Sequence, residues 1–167
     1  MLISAFSAKA GDWRVVVQRA GFLGTIAAGA GYDFTEHHGI EFSIGTFPIA
    51  EKSYYQSNFI YRYSHWNTPV EGHMWKPIQV GVFLVLAMAD GKYFITSPDK
   101  YPYAKYYDET ALRYGAELGT SFTFAVTRIG LGYYIRVFDN GLIAAFNNSN
   151  RDLQYYVSSG FNLSYTF

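Results

Sequence analysis

Leu153-Gln154-Tyr155-Tyr156-Val157-Ser158-Ser159-Gly160-Phe161-Asn162-Leu163-Ser164-Tyr165-Thr166-Phe167 ends the sequence. Leu153, Tyr155, Val157, Ser159, Phe161, Leu163, Tyr165 and Phe167 form one parity, nearly all apolar or aromatic. Gln154, Tyr156, Ser158, Gly160, Asn162, Ser164 and Thr166 form the other, small or polar. Side chains repeat every two residues in a strand and every 3.6 in a helix, so only a strand keeps these classes apart.

The same alternation recurs upstream. Ile129, Leu131, Tyr133, Ile135 and Val137 alternate with Gly130, Gly132, Tyr134 and Arg136. Leu112, Tyr114, Ala116, Leu118 and Phe122 alternate with Arg113, Gly115, Glu117, Gly119 and Ser121. Further strands read at Ile78–Ala87, with a greasier second face, and at 55–64, 40–45, 25–34 and 13–18. About eight strands result, an even number as bacterial barrels use. Short turns are expected at 35–39, 67–75 and 124–127, and connections on the opposite side at 48–53, 90–108 and 139–152. Residues 1–10 read equally as the remnant of a secretory signal or as an N-terminal arm. Residues 11–167 are expected to form one domain.

Composition points to an inverted barrel. Half of the 167 residues are apolar, 20% are aromatic and only 16% are charged, against about 25% charged in a soluble domain. Yet the longest apolar run, Val80 to Ala89, is about half of what a membrane-spanning helix needs. Apolar residues dispersed on alternate positions suit strands that meet lipid on one face. A soluble lipocalin-like barrel has a similar strand count with its apolar face turned in. Here the small and charged parity suits a cramped interior, and the uninterrupted apolar parity suits lipid. Aromatics gather near strand ends, as at membrane interfaces. Tyr32, Phe34, Tyr61, Tyr63, Trp66, Trp75, Tyr165 and Phe167 fall toward one side, and Tyr54, Tyr55, Tyr107, Tyr133 and Tyr155 toward the other. A formal net charge of zero gives a nucleic-acid partner no electrostatic support. The absence of cysteine removes disulfide and thiol chemistry.

Two stretches resemble known proteins. Gly160, Phe161, Leu163, Tyr165 and Phe167 resemble the C-terminal assembly signal of bacterial outer-membrane barrels. Gly31-Tyr32-Asp33-Phe34-Thr35-Glu36-His37-His38-Gly39-Ile40-Glu41-Phe42 resembles a strand–turn–strand of the OmpA-like and OmpW-like barrel superfamily. The resemblance implies an eight-stranded, up-and-down transmembrane β-barrel, outer-membrane lipid as its surroundings, and insertion by the barrel assembly machinery. The peptidoglycan-binding domain of full-length OmpA-type proteins is not expected, because the sequence ends with the barrel.

Candidate site residues follow from parity. Arg14, Asp33, Glu41, Arg62, Arg113, Glu117 and Arg136 are expected inside the barrel, the first four toward the C-terminal side and the last three in the other half. Buried charges need partners, so they read either as a plug of ion pairs or as a gated polar path. Tyr93, Tyr101, Tyr103, Tyr106 and Tyr107 offer a binding loop. Ala28 and Ala30 leave a smooth outer patch for a homo-oligomer or an ordered lipid. His37, His38, His65 and His73 fall in turns or strand ends, and the chain lacks convincing palmitoyltransferase or deacylase motifs. The expectation is a non-catalytic structural or interaction barrel without cofactor or metal. The alternatives are an OmpW-like passage for small or hydrophobic molecules and a lipid A-modifying enzyme.

Overall fold

A computed structural model describes residues 11–19, 21–49, 52–88, 112–138 and 157–167. The strands are β1 (Asp12–Arg19), β2 (Ile26–Asp33), β3 (His38–Ile49), β4 (Lys52–Ser64), β5 (Thr68–Val70), β6 (His73–Ala87), β7 (Leu112–Thr123), β8 (Ile129–Phe138) and β9 (Val157–Thr166). Eight of them close an antiparallel barrel, β1-β2-β3-β4-β6-β7-β8-β9, with β9 pairing back on β1 and β4 pairing with β6. Closure gives each of the eight barrel strands a partner on both sides, which is how an all-β chain satisfies its backbone groups.

The tight turns lie at one rim, here the turn rim, with Phe167 beside Trp13. In the β2–β3 turn, Thr35 Oγ1 accepts from the amides of His37 and His38 at 3.2 and 3.0 Å. In the β7–β8 turn the amide of Arg128 donates to the Phe124 carbonyl at 2.8 Å. The stretch 67–75, expected to be a plain connection, instead carries β5, an extra strand that pairs only with the start of β6. Its turn is Glu71-Gly72, both at positive φ (48° and 83°), the geometry of a two-residue type I′ hairpin. The pairing of β6 with β7 shifts register between Lys76 and Gln79. Pro77 accounts for this, since it has no amide to give to the ladder. At the opposite, loop rim, β3 and β4 run on to Ile49 and Lys52, closer together than the expected 48–53 connection.

Burial is inverted relative to a soluble protein. Phe161, Val82 and Leu118 are 67%, 58% and 54% exposed, while Glu41, Glu117 and Arg136 are 1%, 4% and 0% exposed. The interior has two layers. Toward the loop rim Leu23, Ile60, Phe83, Val85 and Phe138 form an apolar cluster with Phe22 packed against it. Below it lies a layer of charged and amide side chains.

The apolar layer depends on a connection folded inward. Between β1 and β2, Gly21–Leu23 form one 3-10 turn. Phe22 stacks on Phe138 with ring centroids 4.1 Å apart. Gln56 Nε2 donates to the Phe22 carbonyl at 2.8 Å, and Asn58 Nδ2 to the Leu23 carbonyl at 2.9 Å. These inward amides take up backbone acceptors that burial would otherwise leave unpaired. Gly45 makes the close approach possible, because a Cβ there would stand 1.9 Å from the Leu23 carbonyl oxygen.

Candidate functional site: the charged layer inside the barrel

Alternation alone puts Arg14, Asp33, Glu41, Arg62, Arg113, Glu117 and Arg136 on inward positions; register and side-chain length decide which of them meet. Arg62 pairs across β4–β6 with Gly81, Gly81 across β6–β7 with Glu117, and Glu117 across β7–β8 with Arg136. Glycine at 81 leaves the space that the Glu117 side chain occupies.

A closed ring of hydrogen bonds results. Arg62 donates through Nη1 to Glu41 Oε2 at 2.6 Å, and through Nε to Glu117 Oε1. Arg136 Nε donates to Glu117 Oε2 at 2.9 Å. Arg136 Nη2 donates to Gln18 Oε1 at 3.2 Å, and Gln18 Nε2 donates to Glu41 Oε1 at 2.9 Å. The ring therefore runs Glu41, Arg62, Glu117, Arg136, Gln18 and back, joining β3, β4, β7, β8 and β1. Tyr134 braces it from below. Its hydroxyl donates to Gln79 at 2.8 Å, and the Arg62 guanidinium sits 4.3 Å from its ring centroid. Arg62 Nη2 is buried and has no hydrogen-bond partner among the described residues, so the Tyr134 ring face is its nearest compensation.

Arg14 and Asp33 form an ion pair nearer the turn rim, and Arg14 Nη2 reaches Glu41 at 3.9 Å. Across these contacts Arg14, Arg62 and Arg136 face Asp33, Glu41 and Glu117, so the formal charges cancel. Arg113 is buried nearer the loop rim, with its guanidinium 5.2 Å from the Phe138 ring centroid. The expected division into two halves of the barrel is therefore not how the charges group. Glu117 and Arg136 join Glu41 and Arg62, because the tilt and stagger of barrel strands bring residues of different strand depth to one level. Gln18 went unassigned in the sequence because it carries no charge; its inward parity beside Val16 was the available signal.

A cavity of about 70 Å³ opens below the ring, lined by Arg14, Asp33, His37, Lys76, Gln79 and Tyr134 among others. It is large enough for a few waters and too small for an organic substrate. Among the described residues no histidine imidazole is hydrogen-bonded to a serine or threonine hydroxyl. His38 and His65 instead meet the hydroxyls of Tyr61 and Tyr63, at 2.7 and 2.9 Å. No group of three or more His, Cys, Asp or Glu suited to a metal occurs among the described residues.

The remaining candidates lie on the wall or beyond the described residues. Ala28 and Ala30 are exposed on β2, between Val17 and Ile44 and between Val15 and Phe42. Phe161, Leu163, Tyr165 and Phe167 are exposed, whereas Gly160 is turned in, opposite Tyr134. Tyr133 stands near the middle of β8, 5.0 Å from Phe161 between ring centroids, rather than toward the loop rim. Tyr93, Tyr101, Tyr103, Tyr106, Tyr107 and Tyr155 lie outside the described residues, as do residues 1–10.

No known family, curated protein or solved structure matches the chain.

Proposed function

We propose that this chain is a bacterial outer-membrane β-barrel with a closed lumen, acting through its wall and loops and not by conduction or catalysis. One observation carries the reading: large apolar residues cover the outer wall, while a full layer of charged and amide side chains is buried inside. In water that arrangement would expose a continuous apolar surface far larger than monomeric soluble proteins tolerate. In lipid it is the stable one. The turn rim then faces the periplasm and the loop rim the outside, with Tyr32, Tyr61, Tyr63, Trp66, Trp75 and Tyr165 at the inner interface. The ring and the Phe22–Phe138 layer support closure, since a passage would have to break both.

Membrane fractionation and planar-bilayer recording test the proposal together. The chain is expected in outer-membrane fractions, and the purified protein is expected to give no unitary conductance. Glu117→Gln opens one contact of the ring but leaves the apolar layer in place, so it stays silent as well. Steady conductance by the native chain, lost or altered in Glu117→Gln, would favour the passage reading instead. Lipid A that differs by mass between cells with and without the protein would favour an enzyme.

A further inference from the structure

The outer wall carries a trough of about 630 Å³, crossing β7, β8, β9 and β1. Two rows of the sheet register form its sides. Phe122, Leu131, Leu163 and Val17 are successive cross-strand partners along one side, and Thr120, Tyr133, Phe161 and Arg19 along the other. The row between them, Ser121, Gly132 and Asn162, points inward, so its backbone makes the floor. Trp75 closes the β6 end, its indole N–H donating to Thr120 Oγ1 at 3.1 Å. Because barrel strands are tilted, the trough descends obliquely from the loop-rim end of β1 toward the turn-rim end of β7.

Its upper end is marked by charge. Arg19 lines the trough at the end of β1, exposed on the outward parity. It is the one Asp, Glu, Lys or Arg at an outward position among the described strand residues. No carboxylate lies within ion-pair distance of it among the described residues. A cation on an apolar wall is costly in lipid unless it reaches the interface and finds an anion there.

We infer that the trough is a binding site for a phosphorylated glycolipid of the outer leaflet, lipid A in type. An acyl chain lies along the Leu131–Leu163 and Tyr133–Phe161 rows, and a phosphate meets the Arg19 guanidinium. The inference rests on the membrane reading above, which puts the Arg19 end of the wall in the outer leaflet. The trough volume falls within the usual ~300–1,000 Å³ of ligand sites. A guanidinium is the side chain best matched to phosphate oxygens.

The test uses the full chain, refolded in detergent free of lipopolysaccharide and titrated by native mass spectrometry. The probes are bisphosphorylated lipid A, its dephosphorylated form and phosphatidylglycerol. One bisphosphorylated lipid A per barrel is expected, held at least about tenfold more tightly than either other probe. Arg19→Gln should remove that preference, and Val17→Trp, which fills the trough while keeping the charge, should weaken binding of all three. Heat-modifiable gel migration checks that each variant is folded. Equal binding of the three probes, unchanged binding by Arg19→Gln, or protein dimers in place of lipid adducts would overturn the site. A barrel that inserts into vesicles yet binds no lipid A defeats this inference alone. A chain that does not insert defeats the membrane reading beneath it as well.

Discussion

Glu117 accepts from Arg62 and Arg136 at once, so its carboxylate is the point on which two buried cations depend. Glu117→Met should destabilise the barrel by about 3–5 kcal/mol, the cost of stranding buried charge. Adding Arg136→Met should recover part of that loss, because one of the two cations that lose the Glu117 carboxylate is removed with it. A double-mutant cycle on urea unfolding midpoints in detergent measures the coupling. Gln18→Leu takes one acceptor from Arg136 and one donor from Glu41. It should cost about 1–3 kcal/mol although no charge changes. Parity made the charged residues legible in the sequence, since a strand allows only two directions. Which charges meet was not legible, because depth in a barrel depends on stagger, and stagger is a property of the closed sheet. Gln18 escaped notice for a related reason: its role comes from joining Arg136 to Glu41 across the interior, and nothing in its own segment announces it.

At the scale of elements, the 3-10 turn Gly21–Leu23 does for the loop-rim half what the ring does for the middle. Leu23 is fully buried, so Leu23→Ala should cost about 2–5 kcal/mol in the same unfolding measurement. Gly45→Ala sets a methyl against backbone rather than against a side chain that can turn aside. It should force the turn outward, which loss of the Phe22–Phe138 ring contact in nuclear magnetic resonance spectra would report. The eight barrel strands were readable from alternation, and the greasier inward face of β6 hinted at an apolar partner. The partner itself was hidden, because Gly21-Phe22-Leu23 is too short to show a period. The inward amides Gln56 and Asn58 were the overlooked sign, since they sit where a buried connection would need donors for its carbonyls. The β5–β6 hairpin was missed for a different reason: Glu71-Gly72 carries only half of the usual Asn-Gly signature.

The described barrel is a sheet rolled so that its apolar side is outermost, and the membrane reading and the proposed lipid site at Arg19 both rest on that. The last strand, which first suggested the barrel, is also where this can be measured. The sequence has no cysteine, so single cysteines can be placed along β9 without background. Labels at 161, 163 and 165, in barrels reconstituted in lipid vesicles, are predicted to be quenched by a lipid-dissolved agent and shielded from a water-soluble one. Labels at 160, 162 and 164 are predicted to be shielded from the lipid agent. Equal quenching of the two parities by the lipid agent, or water access to 161, 163 and 165, would contradict the account.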